Sequence, residues 1–339
     1  MTNEKEITDF LFDVRKDRIK EGLKIGVPEV DEFIRYKQGQ LNFVLGHDNV
    51  GKTFWLLWYF LVLSTQYGKK WAIWCDENSQ GQIVLDLIQQ YAGKDFMTLT
   101  DEEIHKYKMK ILSWFTFIDN KTPYKLTELL EIFKTVECDG CLIDPYTGLK
   151  RGFGFSDNYE AMNTAKQWIK DTGKTLYICL HTISDAGRAG SIYAKGHPHE
   201  GCIKPPRKAD AEGGQVFANR ADDFFVAHRF PQHEGMRFET QLHVLKIKNT
   251  RTGGKPTLQD FPILFSYNFG LGFKIGGIDP IYRPNSKSHE QQKIDFKTLK
   301  HRAEYNLSLT PDKSDFEASK EQISKFEDEF ANAKDDLPF

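Results

Sequence analysis

The chain has 339 residues, 40% hydrophobic and 28% charged, which is enough apolar material for one large core or two modest ones. A formal net charge of −2 excludes nucleic-acid binding through overall positive charge, so such a role needs a local basic site or one repeated by oligomerisation. The longest apolar run, 54–63, falls short of the roughly 18 residues a bilayer span needs, and the opening MTNEKEITDF is acidic instead of signal-like, so the expectation is a cytoplasmic protein with no membrane partner.

In chain order, Ile7, Phe10, Leu11 and Val14 recur at helical spacing between charged neighbours and predict an amphipathic helix over residues 4 to about 21, ahead of the main domain. After Gly26 and Pro28, LNFVL (41–45) reads as the first core strand and 53–64 as a helix. KWAIWC (70–75) precedes a helix through GQIVLDLIQQYAG, and Thr100 with Glu103 makes a capping box for the helix after it. FTFID (115–119), GCLIDP (140–145) and TLYICLHT (175–182) read as strands, with helices through KLTELLEIFKTV and NYEAMNTAKQWIKDTG between them. Strands alternating with helices of this length predict an α/β fold with a mainly parallel central sheet covered on both faces.

The pattern lapses for some thirty residues after Ile183 and resumes with DDFFVAHR. A longer strand pattern follows over 237–265, where Gly253 and Gly254 predict a hairpin turn. From 284 to 339 the sequence is polar and charged and reads as a partly disordered acidic tail, so the expected organisation is 1–21, 22–283 and 284–339. Five cysteines spread along the chain do not form a disulfide framework; Cys138 and Cys141, with His197, His199 and Cys202, could be imagined as a zinc set, but free thiols beside a strand and a His-containing loop are the expected state.

Between the first strand and its helix, Gly46-His47-Asp48-Asn49-Val50-Gly51-Lys52-Thr53 fits G-x-x-x-x-G-K-[ST], followed by Phe54. Glycines let the backbone wrap phosphates with its N–H groups, and the helix presents its positive end. Lys52 would reach the β and γ phosphates of ATP or GTP, and the Thr53 hydroxyl would hold Mg²⁺. Asp48 is unwelcome beside a triphosphate unless it points outward or meets a cation, which His47 could supply. Asp144 ends its strand where a carboxylate can hold the Mg²⁺ shell. Glu77 follows the second strand and could polarise the attacking water, with Asp76 competing for that role. His181 ends a strand where a polar group could sense the γ-phosphate.

In this order, these residues resemble the RecA-like P-loop ATPase of the DnaB-type (superfamily 4) hexameric replicative DNA helicases over about residues 22 to 275. The likeness is strongest to the helicase half of phage primase-helicases and of Twinkle. The resemblance places Glu77 at the catalytic glutamate, "LIDPYTGL" at the Walker B strand and His181 at a sensor position that is glutamine in bacterial members. It implies an ATP- and Mg²⁺-dependent helicase or translocase on single-stranded DNA, moving 5′ to 3′ as a hexamer, with priming by a separate protein. By the same resemblance, Lys204, Arg207, Lys208, Gly213 and Gly214 would contact DNA in the central channel. Lys248 and Arg251 would form the basic pair that reaches a neighbour's γ-phosphate, although Lys248-Asn-Thr-Arg251 is one residue longer than the usual spacing. The helix at 4–21 would serve as a linker to the adjacent subunit.

The ending Asp335-Asp336-Leu337-Pro338-Phe339 resembles the acidic, Phe-terminated tip of single-strand-binding proteins and implies docking on a replication protein such as a primase or polymerase. A RecA-like recombinase or mediator, and a nucleotide-binding adaptor acting through the tail, are the other readings. His181 and the late hairpin favour a helicase over the first; Lys52, Thr53, Glu77 and Asp144 together count against the second.

Overall fold

The computed structural model describes residues 4–16, 21–152, 154–183 and 191–283, all within the unit Met1–Ser286. The segment from 284 on, including Asp335, Asp336, Leu337, Pro338 and Phe339, lies outside these residues.

β1 (Leu41–Gly46) is buried along its whole length. Its side chains divide by the two-residue period of a strand: Phe43 and Leu45 join one core cluster, and Val44 joins the other. A strand apolar on both faces must be covered on both. On the Val44 side lie α3 (Lys52–Tyr67), α4 (Gln80–Ala92) and α5 (Asp101–Trp114). On the Phe43 side lie α6 (Leu126–Thr135), α7 (Phe155–Thr172) and α8 (Val216–Arg220). α3 is apolar around nearly its whole circumference because it runs through the core; Phe60 stacks on Trp71 with ring centroids 3.8 Å apart, and Gly68 closes the helix through a 2.9 Å bond to the Ser64 carbonyl. The expected capping box is formed: the Glu103 N–H donates to Thr100 Oγ1 at 3.2 Å and the Thr100 N–H to Glu103 Oε2 at 3.1 Å.

The remaining strands are β2 (Trp71–Cys75), β3 (Phe115–Phe117), β4 (Gly140–Asp144), β5 (Thr175–His181), β6 (Asp223–His228), β7 (Glu239–Ile247), β8 (Ile263–Tyr267) and β9 (Phe273–Lys274). The sheet order is β3-β2-β4-β5-β1-β6-β7-β8-β9. From β3 to β6 all neighbours are parallel, and β7, β8 and β9 add an antiparallel flank. Register fixes what shares an edge. Gly46 pairs with His181, so the loop after β1 meets the end of β5. At the other edge Asn42 pairs with Asp223, and Asp223 with Ile247, so the chain leaving β7 departs from the end of the sheet opposite the phosphate loop.

Two expectations need correction. The first helix, α1, spans Glu4–Arg15 and stops before residue 21; Ile7, Phe10, Leu11 and Phe12 on it are each about half exposed or more. The glycine pair is not a tight hairpin turn. A single helical turn, α9 (Thr250–Gly253), follows β7, and residues 255–262 intervene before β8 returns antiparallel. Gly254 has φ +100°, and a Cβ there would sit 2.3 Å from the Phe33 carbonyl oxygen; glycine lets this segment lie against 33–35, where the Arg35 N–H donates to the Gly253 carbonyl at 3.1 Å.

The β6–β7 ladder buries His228 and His243. Burial, aided by His243 and His47, pushes His228 down to about 3, and burial pushes His243 down to about 4. In the unfolded chain both titrate near the ordinary value of about 6.5, so below that pH the unfolded state binds protons the folded state refuses. The stabilising difference is complete above that value and is lost as pH falls toward 4. Denaturant unfolding is therefore expected to lose about two protons' worth of stability, ~2.7 kcal/mol per pH unit, across this window. The double substitution His228→Gln with His243→Gln should flatten that slope; an unchanged slope in the variant would contradict the assignment.

Candidate nucleotide and nucleic-acid site

The phosphate loop leaves β1 at Gly46 and enters α3 at Lys52. Asn49 at φ 59° and Gly51 at φ 87° give it its curl. A side chain at Gly46 would strike the Ala227 carbonyl at 2.6 Å and Val50 Cγ2 at 2.8 Å. Lys52 is only 7% exposed, and its ammonium donates to the Gly46 carbonyl at 3.0 Å and the His47 carbonyl at 2.9 Å. The side chain is thus held across the mouth of the loop, where phosphate oxygens can take over as acceptors.

Thr53 Oγ1 donates to Asp144 Oδ2 at 2.6 Å, joining α3 to the end of β4 across the intervening β5. The other oxygen, Asp144 Oδ1, is buried without a hydrogen-bond partner. Cys75 Sγ lies 3.7 Å from Oδ2, and burial with the Asp144 charge pushes its thiol up to about 12, which keeps it a neutral donor. A hydroxyl and a carboxylate with an unused oxygen beside a phosphate loop form a hard oxygen set suited to Mg²⁺.

Glu77 follows β2, and its Oε1 stands 3.3 Å from His181 Nε2 at the end of β5. Asp76 is placed differently: its carboxylate lies where a Cβ on Gly148 would be 2.8 Å away. Asp48 approaches His181 Nδ1 at 3.8 Å, whereas the His47 ring turns to the Thr182 hydroxyl at 3.2 Å. Burial, with Lys52 nearby, holds His47 below the usual range, so His47 is not the cation expected to meet Asp48. The neighbour Asp48 has is His181.

The basic segment hangs from the same strand end. The Glu212 N–H donates to the His181 carbonyl and the Ile183 N–H to the Asp210 carbonyl, both at 2.9 Å. Arg207 is exposed and pairs with Asp210 at 3.0 Å; Lys208 begins the following turn. Gly213 and Gly214 have φ +100° and +84°, and a side chain on Gly213 would meet the Phe217 ring at 2.7 Å, so that glycine also serves close packing on α8. Lys204 Nζ lies 5.7 Å from the centre of the Tyr193 ring. Arg151, in the loop after β4, reaches Glu212 at 2.8 Å and ties that loop to the basic one.

Lys248 and Arg251 are not brought to this site. They follow β7 at the opposite edge, on the order of 15 Å of strand away. Lys248 Nζ donates to Asp222 Oδ1 at 3.0 Å, while Asp222 Oδ2 accepts the Leu41 N–H at 2.9 Å and also the Lys166 ammonium. Burial pushes the Asp222 carboxyl up, but these donors outweigh it and hold it below the ordinary range. Cys138 and Cys141 face each other, sulfurs 3.7 Å apart, at the start of β4, whereas His197, His199 and Cys202 belong to the loop beyond β5. Among the described residues no group of three or more His, Cys, Asp or Glu is arranged to hold a metal ion, and no helix is long and apolar enough to cross a membrane.

Two features escape the sequence motifs. Phe54, next to Thr53, contacts Tyr267 at 5.6 Å and Phe273 at 5.4 Å, and the patch continues through Phe269, which is 71% exposed, to Phe238. The density of Phe and Tyr over 261–273 was the available signal. A second aromatic cluster joins His47 and His228 to Phe230, His199 and Tyr193, from segments too irregular to show any period.

No protein-family model and no curated relative matches the sequence. Among solved structures, the chain is similar to one described as an isolated ATPase domain, at 10% identity and a TM-score of 0.62, over 80% of this chain and 98% of that one. It is also similar to a DnaB-like replicative helicase described with its interactions with primase, at 11% identity and a TM-score of 0.60, over 80% of this chain and 66% of that one. The chain therefore has the RecA-like fold of the DnaB-type helicase ATPase domain, as the motifs led one to expect.

Thr53→Ala and Asp144→Asn are each expected to remove most of the gain in nucleotide affinity that Mg²⁺ confers, about tenfold or more, while leaving binding in EDTA nearly intact. Titration of a fluorescent ATP analogue with and without Mg²⁺ reads this; equal Mg²⁺ dependence in wild type and variants would exclude the pair as metal ligands.

Proposed function

We propose that the protein is an ATP-dependent motor on single-stranded DNA, a helicase or translocase serving DNA replication, assembled as a ring. The observation that carries this reading is the attachment of the basic loop 207–214 to the end of β5, where His181 stands against Glu77. A change at the γ-phosphate has a short covalent and hydrogen-bonded route to the loop that would hold DNA.

In this reading Lys52 and the loop N–H groups bind the triphosphate, and Thr53 and Asp144 hold Mg²⁺, which supplies charge neutralisation at the phosphates. Glu77 orients the attacking water and accepts its proton, with His181 steadying the carboxylate. The aromatic surface from Phe54 to Phe269 offers a face for the base. Arg251, with Lys248, serves the nucleotide of a neighbouring copy, since its own lies beyond the length of the sheet. Lys204, Arg207, Lys208 and the N–H groups of Gly213 and Gly214 grip the DNA backbone without regard to sequence.

A hexamer, 5′ to 3′ movement and a phage replication setting, in the host cytoplasm, complete the proposal by the sequence resemblance. The exposed apolar face of α1 suits a linker packed on the adjacent subunit. One structural neighbour is described with its interactions with primase, and the tail ending in Phe339 is assigned here to a replication protein of that kind.

ATP hydrolysis is expected to rise strongly with single-stranded DNA. Lys52→Ala should abolish it, and Arg251→Ala should lower it by about 10³-fold. Hydrolysis that ignores DNA and survives Arg251→Ala would contradict the motor and favour a nucleotide-binding adaptor.

A further inference from the structure

The segment from Ser191 to Lys204 folds on itself as a short antiparallel finger. The Tyr193 N–H donates to the Cys202 carbonyl at 3.0 Å, the Gly201 N–H to the Tyr193 carbonyl at 3.2 Å, and the Lys204 N–H to the Ser191 carbonyl at 2.7 Å. At its tip the His197 ring lies on Tyr193, centroids 4.2 Å apart and planes within 16°. The His199 N–H donates to His197 Nδ1 at 3.0 Å, which fixes the ring's rotation. Behind them His199 packs on Phe230 at 4.7 Å. His197 is nevertheless exposed and contributes nothing to either core cluster.

A flat ring locked in place at the surface, with one face covered and the residue exposed, has the form of a stacking surface. Its surroundings are cationic: Lys195 is exposed at the tip, and Lys204 leads through two prolines into Arg207 and Lys208. Polyanion attraction with an aromatic face is the combination by which proteins hold single strands irrespective of sequence.

We propose that His197, supported by Tyr193, is a base-stacking platform for single-stranded nucleic acid, at the approach to the basic loop. The inference rests on the motor reading, and adds to it a contact with the bases where that reading has contacts with the backbone alone. His197 meets the π-face of one base, and Lys195 and Lys204 meet the flanking phosphates. Through Phe230 and His228 the foot of the finger also touches His47 of the phosphate loop.

The test compares the affinity of the full-length protein for oligothymidine and for an abasic deoxyribose-phosphate strand of equal length and charge, by fluorescence anisotropy. Wild type should prefer the strand with bases by about tenfold, His197→Ala should bring the ratio close to one, and His197→Trp should restore it. Because Trp keeps the ring while Ala removes it, misfolding of the finger cannot mimic this pattern. A ratio that His197→Ala leaves unchanged, or that Trp does not restore, overturns the platform alone. Failure of wild type to bind either strand overturns the platform together with the motor reading.

Discussion

The 2.6 Å hydrogen bond from Thr53 to Asp144 depends on the order of strands in the sheet. Thr53 begins the helix after β1, and Asp144 ends β4, with β5 between them. Their meeting requires that all three strands run parallel and end at one level, which the pairings Gly46 with His181 and Ile143 with Ile178 provide. Two buried apolar layers hold that order in place, and β2 brings Glu77 to the same edge. The polar groups of the site are therefore spaced by the pitch of a sheet, about 4.8 Å per strand, which rigid backbone hydrogen bonds maintain.

The same geometry divides labour between the ends of the sheet. The edge with Lys52, Asp144, Glu77 and His181 also carries the segment that leads to Lys208 and Gly213. The far edge carries Asp222, a buried carboxylate that collects Lys166, Lys248 and the Leu41 N–H. This cluster anchors the start of β1 and the exit from β7 together. Because Lys248 is drawn into it, Arg251 is held outward from the far edge and away from its own nucleotide loop. A ring in which one copy's far edge meets the next copy's near edge would use both.

Much of this was legible in the sequence because the signals are local. The G-x-x-x-x-G-K-[ST] spacing needs only the strand before it and the helix after it, and the Thr100 and Glu103 capping box is formed within one turn. Apolar runs such as LNFVL and CLIDP announce strands buried on both faces. The antiparallel flank was legible in part: its strands were expected, but Gly253 and Gly254 suggested a tight turn, and the reason for Gly254 is the Phe33 carbonyl, from a segment far earlier in the chain. The pairing of Lys248 with Asp222 and the meeting of His47 with His228 are likewise contacts between distant segments, which no periodicity encodes. The finger at 191–204 has too little regular structure for hydrophobic patterning to find it.

The account turns on whether one working site is made from two copies of the chain. The most direct measurement mixes Lys52→Ala protein with Arg251→Ala protein and follows DNA-stimulated ATP hydrolysis, each variant alone being nearly inactive. In random mixed rings half the nucleotide loops are intact and half of their neighbours supply Arg251, so about a quarter of the wild-type rate should return. A mixture no more active than the sum of its parts, with Arg251→Ala alone retaining the wild-type rate, would contradict the account and place the whole site within a single chain.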